Sequence, residues 1–210
     1  QWPNGSWVTT RVRNDIERYD AVNNSWTSMT RMTEPRWDPC CVAVGTDLTD
    51  SKIYVIGGRD NNFTYMTEIF IYDPHTDSWS TSNYPLPRAI DRIRGGVIDG
   101  KIYVAGGITP HPHEILDTIY MFDPMNESNG WTLLPTSMSF PRRSHAVGVI
   151  NNSLYVVGGV YYSSGTTSAM HSSCEVFTRS AIIDLLDSTN TTEIAPPTVG
   201  TPPIWTISLA

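Results

Sequence analysis

The side chains with most chemical capacity in this 210-residue sequence are two histidines one proline apart, His111 and His113, followed by Glu114 and Asp117. Imidazoles and carboxylates at such short spacing are the donor set of a zinc or copper centre. Pro112, however, stiffens the backbone without aiming both rings at one point, and no further ligand can be named. A solvated loop is the expected state, and no metal or cofactor is assigned. Arg36, Arg88, Arg142 and Arg143 could line a mouth and meet an acidic ligand, but an arginine that recurs through a chain reads better as a structural ion pair or hydrogen-bond donor. No G-x-S-x-G, H-E-x-x-H or phosphate-binding loop is present, so no catalytic residue is assigned and the chain reads as a non-enzyme.

Two covalent chemistries remain. Asn4, Asn23, Asn62, Asn126, Asn151 and Asn190 each open an Asn-X-Ser/Thr sequon, and Asn23, Asn62, Asn126 and Asn151 fall in turns, where a glycan finds room. Turn formation by Asn, Ser and Thr is the plainer alternative. Cys40, Cys41 and Cys174 are too few for a disulfide scaffold. Adjacent strand residues point to opposite faces, so Cys40 and Cys41 cannot share a packing layer. Two readings stand open: a disulfide from one of them to Cys174, or three small apolar thiols.

The background against which these groups sit is acidic and mostly neutral-polar: 14 Lys plus Arg against 21 Asp plus Glu, a net charge of -7, and 40% hydrophobic residues. The absence of any basic run argues against nucleic acid as a partner. No apolar run reaches the roughly 18 residues of a spanning helix. The chain begins at Gln1 and is expected to be a processed mature chain or an excised fragment.

What must position these groups is a repeat. The segments IYVIGG (53–58), IYVAGG (102–107) and LYVVGG (154–159) set their second glycines 49 and 52 residues apart. An aromatic, usually followed by Asp and later by Trp, runs in phase: YDAVNNSW, YDPHTDSW and FDPMNESNGW, with Trp26, Trp79 and Trp131 spaced by 53 and 52. A Pro-Arg pair recurs at Arg36, Arg88 and Arg142, at spacings of 52 and 54. Short β-branched and aromatic runs bounded by Gly, Asn, Asp and Pro read as strands. Asp99-Gly100 and Asn151-Asn152 read as tight hairpin turns. The tryptophans are expected to pack between neighbouring units, and the glycine pairs to sit where backbones crowd.

A period near 50 carrying this hydrophobic run, Gly-Gly pair, aromatic and Trp resembles the kelch family. The resemblance implies an all-β, kelch-type β-propeller of about four blades, either a small ring or part of a larger propeller. The expected divisions are a split blade at 1–30, blades at 31–82, 83–135 and 136–185, and a Pro/Thr-rich C-terminal segment at 186–210. The copper site of kelch oxidases, with its paired Tyr, paired His and Cys, has no assignable counterpart.

Residues 1–30 are expected to need inner strands, which the C-terminal segment supplies by folding back on its own ring or by donating the strand IWTISLA (204–210) to a neighbour. Donation is head-to-tail and grows into filaments unless it closes. The expected function is therefore a secreted or cell-surface glycoprotein module that binds protein partners or copies of itself. The alternatives are a carbohydrate-binding or enzymatic propeller using loop residues such as His111, His113, Trp37 or Tyr161, and an intracellular adaptor.

Overall fold

A computed structural model describes residues 12–47, 49–164 and 167–178. Its strands are β1 (Ile16–Asp20), β2 (Ser25–Met29), β3 (Cys40–Val44), β4 (Lys52–Ile56), β5 (Ile69–Asp73), β6 (Ser78–Thr81), β7 (Arg94–Ile98), β8 (Lys101–Ala105), β9 (Thr118–Phe122), β10 (Trp131–Ser137), β11 (Ala146–Ile150), β12 (Ser153–Val157), β13 (Val160–Ser164), β14 (Thr167–Met170) and β15 (Cys174–Thr178). They form antiparallel sheets in chain order: β1-β2, then β3-β4-β5-β6, then β7-β8-β9-β10, then β11-β12-β15. The hairpin β13-β14 is inserted between the second and third strands of the last sheet. The fold is all-β, and its successive sheets stack as kelch propeller blades. Where the two preceding blades have four strands each, the described residues give the third blade three.

The repeated markers have local causes. The aromatic-Asp-Trp pattern is the hairpin from third to fourth strand. Its Asp accepts backbone amides across the turn: Asp20 from Val22 at 2.9 Å, Asp73 from His75 at 2.9 Å, and Asp123 from Met125 at 3.0 Å. The aromatic lies cross-strand from the Trp, with ring centroids 4.9 Å apart for Tyr19 and Trp26, 4.9 Å for Tyr72 and Trp79, and 5.0 Å for Phe122 and Trp131. The two-residue turns between first and second strands put Asp99 and Gly100 at φ 50° and 74°, and Asn151 and Asn152 at 48° and 55°, the left-handed geometry that Asn, Asp and Gly tolerate best.

Two cores lie between the blades. The face of β3-β4-β5 bearing Cys40, Tyr54, Ile56 and Ile69 packs on Ile102, Val104, Tyr120 and Phe122 of the second blade. The opposite face of the second blade, with Ile98, Tyr103, Ala105 and Ile119, packs on Leu154 and Val156 of the third. The first strands β3, β7 and β11 stand side by side. The glycine pairs sit at the closest approach: a Cβ on Gly57 would stand 2.4 Å from the Ile90 carbonyl oxygen, and one on Gly106 would stand 2.3 Å from that of Arg142. The tryptophans tie the outer strands. Trp79 gives its indole N–H to the Thr30 carbonyl at 2.8 Å, and Trp131 gives its own to that of Tyr84 at 3.2 Å. Trp26 is the exception to the expected packing. It is 67% exposed, because the described residues place no blade before it.

Candidate interaction surfaces

Beyond each glycine pair the chain makes one antiparallel bridge to the loop that opens the blade: Arg59 to Trp37, Ile108 to Asp91, and Val160 to Arg143. These bridges make Arg36, Ile90 and Arg142 equivalent. Arg36 (6% exposed) donates to the Gly57 carbonyl at 3.0 Å, and Arg142 (0%) to that of Gly158 at 2.9 Å. On the third strand the same guanidinium meets different partners: Phe70, whose ring centre is 4.4 Å from the Arg36 carbon, and Glu175, which pairs with Arg142. Both arginines therefore brace their own blade and do not line a mouth. Arg88 stands two positions too early. Its chain has slipped out of register with the repeat, and its guanidinium lies on the surface 2.7 Å from Glu114.

The loop rim between the first and second blades carries a cluster that no sequence motif flagged. Arg59 has the rings of Trp37, Phe63 and Tyr65 each at 5.6 Å. Its Nε lies 2.9 Å from Asp91, a fully buried carboxylate on the next blade. Burial raises the Asp91 pKa against the opposing pull of Arg59 and then Arg92. Arg92 and Arg94 in turn reach Asp38 at 3.5 and 3.3 Å. Phe63 remains 59% exposed at the edge of this network. Because partners come from loops about 30 residues apart, only the assembled rim reveals them.

The His111 and His113 rings lie edge to face with centroids 6.1 Å apart, and His113 faces Tyr65 at 6.3 Å. Glu114 turns to Arg88 instead. A cleft of about 330 Å³ lies here, lined by Arg88, Thr109, His111 and Glu114 among others. Among the described residues no three His, Cys, Asp or Glu side chains converge as a metal site. Trp37 and Tyr161 are not brought together: the first belongs to the rim of the first blade, while Tyr161 packs on His171 at 4.2 Å in the third. His145, unremarked in the sequence, is 3% exposed with neither ring nitrogen partnered, and burial followed by the charge of Arg142 pushes its pKa down to about 3.

Cys40, Cys41 and Cys174 are free thiols. Cys40 is buried toward the second blade while Cys41 faces outward, as strand alternation requires, and burial pushes the Cys40 thiol up to about 12. Asn23, Asn62, Asn126 and Asn151 are all exposed, whereas Asn4 and Asn190 lie outside the described residues. Segment 186–210, with the 204–210 strand, also lies outside them.

Among the described residues no sheet packs on the outer face of the third blade. The strand registers equate Ile98 with Ile150, Ala105 with Val157 and Ile119 with Cys174. The second-blade residues are 2%, 0% and 0% exposed, whereas Ile150 is 60% and Val157 46% exposed, and Cys174 is exposed too. The glycine pair tells the same story, since a Cβ on Gly158 would meet nothing nearer than the His171 carbonyl at 3.6 Å. Among the described residues no helix is long and apolar enough to cross a membrane.

The family described as the KLHDC2/KLHL20/DRC7 Kelch-repeats domain matches residues 4–205. The chain is 30% identical over 139 residues to Beta-scruin of Limulus polyphemus, covering 63% of this chain and 15% of that protein. It is 33% identical over 120 residues to Alpha-scruin of the same animal, covering 54% and 12%. Kelch-like protein 15 of Danio rerio is 31% identical over 159 residues, covering 69% and 24%. This chain thus spans less than a quarter of the length of each of these three relatives.

Proposed function

Because the chain belongs to the kelch-repeat family, we propose that it is a non-catalytic module of a secreted or cell-surface glycoprotein that binds other protein chains, copies of itself among them. The observation that carries this reading is the apolar surface that the described residues leave exposed. Ile150, Val157 and Val176 are 60%, 46% and 47% exposed, whereas the preceding blade buries Ile98 and Ala105 and half-buries Met121 at the equivalent positions, and Tyr19 and Trp26 are 46% and 67% exposed. Contiguous apolar surface of this kind on a soluble fold marks an association site. The rim around Arg59, Trp37 and Phe63 adds the aromatic and arginine composition in which interface hot spots are rich.

Export is supported by four sequons on exposed turns. Self-association is supported by β1-β2, a two-stranded sheet among the described residues, to which the C-terminal residues of a neighbour would add strands in head-to-tail chains that grow into filaments unless they close. Sedimentation of the purified full chain, with and without residues 192–210, tests this. The reading expects large species that collapse to monomers on truncation. A full-length chain already monodisperse at monomer mass sinks it.

A further inference from the structure

The loop that opens each blade sets one residue against the second glycine of its pair. The bridges of Trp37, Asp91 and Arg143 make Pro39, Ile93 and His145 equivalent, two positions further on. A Cβ on Gly58 would stand 3.2 Å from the Pro39 Cα, one on Gly107 3.2 Å from the Ile93 Cβ, and one on Gly159 2.9 Å from the His145 Cβ. The first two blades fill this position with a side chain that carries no charge at any pH. The third fills it with an imidazole.

His145 belongs to the third blade by its backbone, but its ring reaches the second: the ring Cε1 stands 3.0 Å from where Gly106 would carry a Cβ. The residue is 3% exposed, and neither ring nitrogen has a hydrogen-bond partner in the chain. The charges that act on it are both positive, Arg142 of its own loop and then Arg94 at the start of β7. Arg143, on the same loop, turns to the Tyr162 ring. The carboxylates of the neighbourhood are engaged, Glu175 with Arg142, and Asp38 with Arg94 and Arg92. An imidazolium formed here would be a buried cation between guanidinium groups, with no acceptor for either N–H. Parting the two blades relieves it, because water then reaches the ring.

We propose that His145 is an acid-sensitive latch between the second and third blades, whose protonation parts these two while the first and second stay packed. Both sides of the junction lie among the described residues, so the latch depends neither on what covers the outer face of the third blade nor on self-association. The junction of the first and second blades has the opposite response. Its buried titratable group is Asp91, where acid removes a charge instead of adding one. Burial raises the Asp91 pKa, so its contribution to stability is kept as pH falls and lost as pH rises. Opening the latch uncovers the apolar cluster of Ile98, Tyr103, Ala105 and Ile119 with Leu154 and Val156.

Two buried positions report on the two junctions in one molecule. In a Cys41→Ser, Cys174→Ser chain carrying Ala105→Cys, position 105 faces the third blade and Cys40 faces the second. Dithiodipyridine, which reacts with thiols in acid, is applied from pH 7 down to pH 4.5. Peptide mapping gives the labelling rate at each site relative to an unstructured cysteine peptide. Opening is expected to rise about tenfold for each pH unit below 6.5, so labelling at position 105 gains about 100-fold by pH 4.5 while Cys40 stays slow. His145→Ile, which matches the uncharged side chain of Ile93, should flatten that rise. Equal acceleration at both sites overturns the latch, because the whole fold is then opening. No acceleration at position 105, or the same acceleration in His145→Ile, overturns it too. Should His145→Ile fail to fold, NMR of the wild type decides: the His145 Cε1–H signal should hold its neutral position from pH 7 to pH 5, and a titration centred near 6.5 overturns the proposal.

Discussion

Replacing glycine by alanine at equivalent points of two blades separates a covered face from a bare one. Gly106 and Gly158 have nearly the same backbone, φ 61° and 66°, so Ala at either pays the same left-handed penalty, about 1–2 kcal/mol. They differ in what the new methyl meets. At Gly106 it would stand 2.3 Å from the Arg142 carbonyl oxygen and 2.9 Å from the Met138 methyl, so the third blade must retreat. That motion strains the 2.9 Å bond from the Gly107 amide to the same carbonyl. Overpacking of about 1–3 kcal/mol and a weakened hydrogen bond of about 1 kcal/mol then add to the common penalty. At Gly158 the nearest atom is 3.6 Å away, an ordinary contact. Gly106→Ala is therefore expected to lose about 2–4 kcal/mol more than Gly158→Ala in urea denaturation of dilute, monomeric protein. Equal losses would refute the reasoning, because they would mean that backbone already crowds Gly158.

Three further outcomes follow from the same contacts. His145, its pKa held near 3, favours its neutral form in the fold; its contribution is complete above the ordinary value of 6.5 and declines as pH falls from there toward 3, by about 1.4 kcal/mol per unit. The stability difference between the wild type and His145→Met, measured by denaturation at pH 7, 5.5 and 4.5, should shift by that slope, and a constant difference would contradict it. Trp131→Phe should cost about 1 kcal/mol through the lost bond to Tyr84, whereas Trp26→Phe in the monomer should cost almost nothing, as paired thermal melts would reveal. Peptide mapping of material from a secretory host should find glycan on at least two of Asn23, Asn62, Asn126 and Asn151, with Asn62 and Asn151 favoured because the amides of Asn23 and Asn126 are already bonded to Asp20 and Asp123 in their turns. All four unmodified would remove the argument for export.

Much of the fold was legible because it is local and repeated. The strand-turn-strand chemistry of Tyr72-Asp73 and Trp79, or of Asp99-Gly100, is written within a few residues, and the period multiplies the signal. The Pro-Arg marker misled at Arg88 for the opposite reason. A dipeptide recurring at nearly the right spacing says nothing of a two-residue slip, and only the bridges of Trp37, Asp91 and Arg143 show Ile90 in the structural arginine position. The Arg59-Asp91 network was illegible because burial, and not a motif, couples two loops of different blades. The bare face was invisible too: Ile150 and Ile98 read alike in the sequence, and what separates them is whether a neighbour stands in front.

The most direct test of the account is a cryo-electron microscopy reconstruction of the assembled full chain. It should show copies of the chain joined head to tail. Closed rings of single chains that stay apart from one another would contradict it.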